Sequence, residues 1–211
     1  MAAMVAAALG ILGMAMAAVS GQAQSGPIKL VAFGDSLTAG YGLPQPAALP
    51  SVLERALKAR GRNVVVVNAG VSGDTATGGL ERLDWSVPDD ADGVILELGA
   101  NDMLRGVDPD VVKRALDAIV TRLKERGIPV MLAGMYASRN LGPAYTARFD
   151  AIYRDLAAKH GLVLYPFFLD GVAGERLLNL PDGLHPTVKG VERIVEGILP
   201  SVETFLSRLK S

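Results

Sequence analysis

Three short segments hold residue types that together could carry out nucleophilic catalysis: Gly34-Asp35-Ser36-Leu37, Gly99-Ala100-Asn101-Asp102 and Asp182-Gly183-Leu184-His185. A serine hydroxyl is a weak nucleophile, so it needs a nearby base, and that base must be oriented by a third group. The chain has only 2 histidines. His160 closes a helical segment just before Gly161, where an imidazole suits the negative end of a helix. His185 sits in Pro181-Asp182-Gly183-Leu184-His185-Pro186, where Pro186 prevents helix and Gly183 permits a sharp turn. Asp182 is then expected to fold back onto the imidazole Nδ1, which leaves Nε2 free to take the proton of Ser36.

Cleavage of an ester also needs donors where negative charge develops on the carbonyl oxygen. Losing one such donor typically costs about 10²–10³ in rate. Three candidates converge: the backbone N–H of Ser36, the backbone N–H of Gly73 and the side-chain amide of Asn101. Gly73 suits this role because a backbone donor must approach the substrate closely. Ser72, also in a glycine-rich turn after an apolar run, is the alternative nucleophile. Neither serine lies in a Gly-x-Ser-x-Gly elbow.

The elements that must position these residues alternate. Short apolar runs fall at 28–33, 64–68, 93–98, 128–134 and 162–165, and the segments between them have helical spacing. In 109–126, Val112, Leu116, Ile119 and Leu123 share a face, with Asp108-Pro109 at the start and Gly127 past the end. In 187–208, a long apolar stripe runs from Val188 to Phe205. Near-continuous apolar strands separated by helices predict an α/β fold, a parallel sheet covered on both faces. Ligands gather at the carboxyl ends of such strands. Ser36, the 68–74 loop and Asn101 all open on that edge.

In order along the chain, Gly34-Asp35-Ser36-Leu37, Gly73, Gly99-Ala100-Asn101-Asp102 and Asp182-Gly183-Leu184-His185 resemble the four blocks of the GDSL/SGNH hydrolase family. Val71-Ser72-Gly73-Asp74-Thr75, Leu96-Glu97-Leu98-Gly99 and Met103-Leu104-Arg105-Gly106 resemble its bacterial periplasmic subgroup of thioesterases, lysophospholipases and arylesterases. The resemblance implies a flavodoxin-like three-layer α/β/α sandwich with a five-stranded parallel sheet. It also implies a Ser36–His185–Asp182 triad and an oxyanion hole from Ser36, Gly73 and Asn101. Ala100 departs from the subgroup, which often has a second glycine there; this matters only if that backbone needs a positive φ.

The expected activity is hydrolysis of carboxylic esters or thioesters with an apolar acyl or aryl part, through an acyl-enzyme. No metal or organic cofactor is required. Met103, Leu104, Met135, Tyr136, Leu141, Phe167 and Phe168, in loops after the third to fifth strands, are candidate walls of the acyl groove, and the loop 103–108 could move over it. Carbohydrate O-acetyl esters as substrates, and acyl transfer to an alcohol, stay open as alternatives. A non-catalytic nucleotide- or acyl-binding module is a more distant one, disfavoured because no Gly-x-Gly-x-x-Gly or Walker pattern occurs. Asp35 is expected to support its turn, and Asp102 to brace the loop carrying Asn101. Glu97 interrupts a buried strand and must be paired or neutral. Arg82 or Arg105 is the expected partner.

The 21 basic and 22 acidic residues give a net charge of −1 and are spread along the chain, so no basic run points to nucleic acid. With 0 cysteines, disulfides, thiol catalysis and cysteine-type zinc sites are excluded. Residues 1–23 read as a secretory signal: an apolar Met1–Val19 run, then a polar exit with Gly21 and Ala23 at the small-residue positions. No Lys or Arg precedes that run. The expectation is a single domain over 24–211, periplasmic or secreted, monomeric, with no stable membrane insertion after cleavage. An uncleaved membrane anchor is the alternative.

Overall fold

The computed structural model describes residues 26–209, so the expected leader and its cleavage point lie outside the described residues. Five strands, β1 (Ile28–Gly34), β2 (Val64–Gly70), β3 (Gly93–Glu97), β4 (Val130–Ala133) and β5 (Val163–Tyr165), form one sheet in the order β2-β1-β3-β4-β5. Every pairing is parallel. This is the flavodoxin-like strand order, with its switch point between β1 and β3.

Seven α-helices accompany the described strands: α1 (Ser36–Ala39), α2 (Leu49–Ala59), α3 (Ala76–Ser86), α4 (Ala100–Leu104), α5 (Pro109–Glu125), α6 (Pro143–His160) and α7 (Val188–Leu209). In α5 the Asp108 side chain accepts from the Asp110 N–H, Pro109 takes the first turn, and Gly127 follows with φ 72°. The predicted face of Val112, Leu116, Ile119 and Leu123 is fully buried. α6 begins at Pro143, earlier than the segment ending in His160 suggested, and ends at Gly161 in the left-handed conformation. His160 Nε2–H donates to Asp117 Oδ1 at 2.6 Å, away from any catalytic group.

β1 and β3 are buried along nearly their whole length, consistent with their central place under helices on both faces. Leu30, Phe33, Ile95, Leu96 and Leu132 anchor one continuous core that reaches α2, α3, α5, α6 and α7. Burial of side chains such as these contributes about 1.5–3 kcal/mol each. The core therefore holds the strand ends, and with them the loops, in fixed relation. No helix among the described residues is long and apolar enough to cross a membrane.

Candidate active site

β1 stops at Gly34, and Asp35 caps the short helix that follows, its Oδ1 accepting from the Leu37 N–H at 3.0 Å. Ser36 is thus the first residue of α1, where a helix leaves its N–H groups without intrahelical acceptors. Neither the Ser36 N–H nor the Gly73 N–H finds an acceptor among the described residues. Ser36 Oγ lies 3.0 Å from His185 Nε2, and His185 Nδ1 lies 2.7 Å from Asp182 Oδ2.

The loop carrying Asp182 and His185 is closed on itself. Leu180 N–H donates to His185 O at 2.7 Å, Thr187 N–H to Leu178 O at 2.8 Å, and Gly183 N–H to Leu180 O at 2.9 Å. Asn179 and Pro186 form an isolated antiparallel bridge. The Asn179 amide underneath donates to Val172 O and Glu175 O. Asp182 Oδ1 accepts from the Leu184 and His185 N–H groups at 2.9 and 3.0 Å. Those backbone hydrogen bonds, followed by the one to the ring, hold the Asp182 carboxyl down at about 2. The Tyr41 ring covers the imidazole, with centroids 4.4 Å apart and planes tilted by 35°.

Asn101 follows β3 at the start of α4. Gly99, the residue before that helix, has φ 118°, and a Cβ there would collide with the Tyr153 hydroxyl. That hydroxyl donates to Leu98 O at 2.7 Å. The positive φ falls on Gly99, while Ala100 is helical with negative φ, so the alanine is accommodated without strain. Asn101 Nδ2 donates to Asp35 Oδ2 at 3.0 Å. One amide hydrogen is therefore fixed by Asp35, and Asn101 also lines the cleft in front of Ser36.

Gly73 has φ 81°, and nothing but the tip of Arg105 lies within 4 Å of a Cβ built on it. Its glycine is thus required by backbone conformation rather than by crowding from the protein. Arg105 Nη2 donates to Gly73 O at 2.8 Å, tying this turn to the end of α4. Gly73 is not part of the cleft wall. Ser72 lies in the same exposed turn and bonds to neither histidine.

A cleft of about 460 Å³ opens beside Ser36 and His185. Met103, Leu104, Met135, Tyr136 and Phe167 line it. Tyr136 and Phe167 stack with centroids 4.9 Å apart. Phe168 is instead fully buried in the core, and Leu141 is not part of the wall. Leu37, Leu169, Ala173 and Leu184 add apolar surface that sequence reasoning did not assign. Leu169 and Ala173 belong to the irregular segment after β5, which has no periodicity to read.

One expectation is overturned. Glu97 pairs with neither Arg82 nor Arg105. Arg82 is engaged by Asp74 Oδ2 at 2.6 Å, by Gly34 O, Ala69 O and Ser86, and its guanidinium lies 4.1 Å from the Phe33 ring centre. Glu97 is opposite Gly34 in the β1–β3 register, which turns its carboxyl under the nucleophile turn. There Oε2 accepts from Thr38 Oγ1 at 2.8 Å and, at 3.4 Å, from the Asp35 N–H. Asp35 and Asp102 both support loops: Asp102 Oδ2 accepts from the Ala76 N–H at 2.8 Å, linking α4 to the start of α3.

A parallel α/β sheet with a serine, histidine and aspartate in hydrogen-bonded sequence at its switch point defines a hydrolase-type site. The GDSL-like lipase/acylhydrolase family model matches residues 32–193, and the chain belongs to that family. Among curated relatives, esterase TesA of Pseudomonas aeruginosa is 34% identical over 184 residues, covering 87% of this chain and 92% of the relative. An arylesterase of Vibrio mimicus is 39% identical over 172 residues, covering 80% and 84%. Among solved structures, AlinE4, described as an SGNH-hydrolase family esterase, superposes with TM-score 0.72 at 44% identity, covering 86% of this chain and 98% of that one.

Proposed function

We propose that this protein is a serine esterase that hydrolyses carboxylic esters or thioesters with apolar acyl or aryl groups. The observation that carries the reading is the continuous path Asp182–His185–Ser36, at 2.7 and 3.0 Å, opening on an apolar cleft. The kinship with proteins named esterase and arylesterase supports it.

Ser36 Oγ attacks the acyl carbon while His185 Nε2 takes its proton. Asp182 accepts from Nδ1–H and stabilises the imidazolium. The carbonyl oxygen becomes an oxyanion, which the N–H groups of Ser36 and Gly73 and the second amide hydrogen of Asn101 stabilise. Collapse breaks the bond to the alcohol or thiol, which leaves with the proton from His185, and the acyl group stays on Ser36. Water then gives a proton to His185 and attacks the acyl carbon. The resulting tetrahedral species expels Ser36 Oγ, which recovers the proton, and the carboxylic acid departs. No cofactor enters either half.

Met103, Leu104, Met135, Tyr136 and Phe167 hold the acyl or aryl group. The volume of the cleft, about 460 Å³, suits a small-molecule ligand. The apolar leader over residues 1–23 supports export to the periplasm or the medium.

The test is a chain-length series of aryl-ester and acyl-thioester substrates on the purified protein and on Ser36→Ala. Turnover of apolar acyl or aryl substrates that the substitution abolishes is expected. A strict preference for acetyl esters of carbohydrates would replace this substrate class, and undiminished turnover by Ser36→Ala would end the serine mechanism.

A further inference from the structure

Beneath the nucleophile turn, the carboxyls of Asp35 and Glu97 are buried close together, Glu97 Oε2 lying 3.4 Å from the Asp35 nitrogen, and neither is paired with a Lys or Arg among the described residues. Asp35 is 0% exposed and Glu97 1%. Asp35 has its charge-favouring partners, the Leu37 N–H and the Asn101 amide. Glu97 has donors on Oε2 alone, and its Oε1 is buried with no hydrogen-bond partner among the described residues. Two adjacent carboxylates in a dry site cannot both ionise cheaply, and an oxygen without a donor is where a carboxylic acid carries its proton.

We propose that Glu97 is a neutral carboxylic acid that shares its Oε1 proton with Asp35, so that the pair carries one charge and that charge fixes the Asn101 amide as an oxyanion donor. This rests on the esterase reading given above. Glu97 is then a positioning residue acting through Asp35, and touches no substrate.

The surrounding groups agree. From α3, Arg82 gives its donors to Asp74, Gly34 O, Ala69 O and Ser86 and none to Glu97. From the loop after β2, Asp74 adds negative charge that opposes ionisation of Asp35, while on α4 Asp102 is itself pushed up by burial. From α6, the Tyr153 hydroxyl is committed to Leu98 O. The imidazolium that forms at His185 during the reaction favours a charge on Asp35. Burial, and then the charge of Asp35, push the Glu97 carboxyl well above the usual range. Burial also raises Asp35, to about 6, against the pull of Leu37 and Asn101. At neutral pH the charge therefore rests on Asp35, the side that holds Asn101.

The pairing has a sign. A carboxyl whose folded-state value is raised keeps its proton in the native state while the unfolded chain loses it. Stability then falls as pH rises from the unfolded value of about 4.3 toward the raised one. Replacing Glu97 by glutamine removes that fall, because the amide keeps an acceptor for Thr38 and a donor for Asp35 without a titrating proton.

The test compares wild type, Glu97→Gln and Glu97→Ala. The infrared difference spectrum of wild type minus Glu97→Gln at pH 7 should contain a protonated-carboxyl C=O band. Its absence would overturn the proposal. Glu97→Gln should keep kcat within about threefold, and Glu97→Ala should lose about tenfold or more in kcat with KM little changed, the mark of a misplaced oxyanion donor. Equal losses in both would overturn it. Wild type should lose kcat at alkaline pH as the second charge appears, and Glu97→Gln should not. Should neither Glu97 variant fold, Thr38→Val serves instead. It removes the hydrogen bond that favours the ionised form, so the alkaline loss must move to higher pH; an unmoved limb contradicts the proposal. Fluorophosphonate labelling of Ser36 in wild type separates failure of the esterase reading from failure of the shared proton.

Discussion

Asp182 holds His185 by three hydrogen bonds: Oδ1 takes the backbone N–H of Leu184 and of His185, and Oδ2 takes the ring Nδ1–H. The same carboxylate thus fixes the turn and the tautomer. Asp182→Asn keeps an acceptor for the backbone but offers an N–H to Nδ1. The imidazole is then held with Nε2 protonated, unable to take a proton from Ser36. The expected loss is roughly 10³–10⁴ in kcat, with an unchanged circular dichroism spectrum. A loss below tenfold would remove Asp182 from the mechanism.

Stability has a separate acid window at this turn. The Asp182 carboxyl is depressed from 3.8 to about 2, so its contribution is full above the unfolded value and is lost as pH falls from about 4 through 2. Melting temperatures of wild type and Asp182→Ala should converge across that interval. A difference that stays constant down to pH 2 would contradict the depressed value.

Activity should fall on the acid side as Asp35 takes up a proton. Asp35, raised to about 6 by burial, must be charged to hold Asn101. Asp35→Asn should therefore alter the acid limb of log kcat/KM while lowering the plateau by about tenfold. An unchanged acid limb would exclude Asp35 from it.

Gly99 offers a stability test independent of catalysis. Gly99→Ala forces a side chain onto φ 118° and into the Tyr153 hydroxyl, which must then give up Leu98 O. The cost should be about 1–3 kcal/mol by chemical denaturation. A loss under 0.5 kcal/mol, on the order of an ordinary surface change, would mean the turn relaxes freely.

The sequence made much of this site readable because its parts sit where one strand ends and one loop begins. Val31-Ala32-Phe33 leading into Gly34-Asp35-Ser36 marks a strand edge, and parallel topology brings that edge to Asn101 without any knowledge of contacts. The pairing of Asp182 with His185 was legible because they lie 3 residues apart across a glycine turn. Glu97 was not. Its need for a partner followed from burial, but which partner depended on the register opposite Gly34 and on Asp74 having already engaged Arg82. The Tyr41 ring over His185, 144 positions away in the chain (185 − 41), leaves no local trace either. Tyr41→Ala should cost about two- to fivefold in kcat, the range of an exposed ring supporting a cation, and Tyr41→Phe should restore it.

The central claim is that Ser36 is the nucleophile. Incubation with a fluorophosphonate, followed by intact-mass and peptide analysis, tests it most directly. The account predicts one phosphonyl adduct per chain, on the peptide containing Ser36, lost in Ser36→Ala and retained in Ser72→Ala. A folded protein that stays unmodified, or an adduct that survives Ser36→Ala, would contradict it.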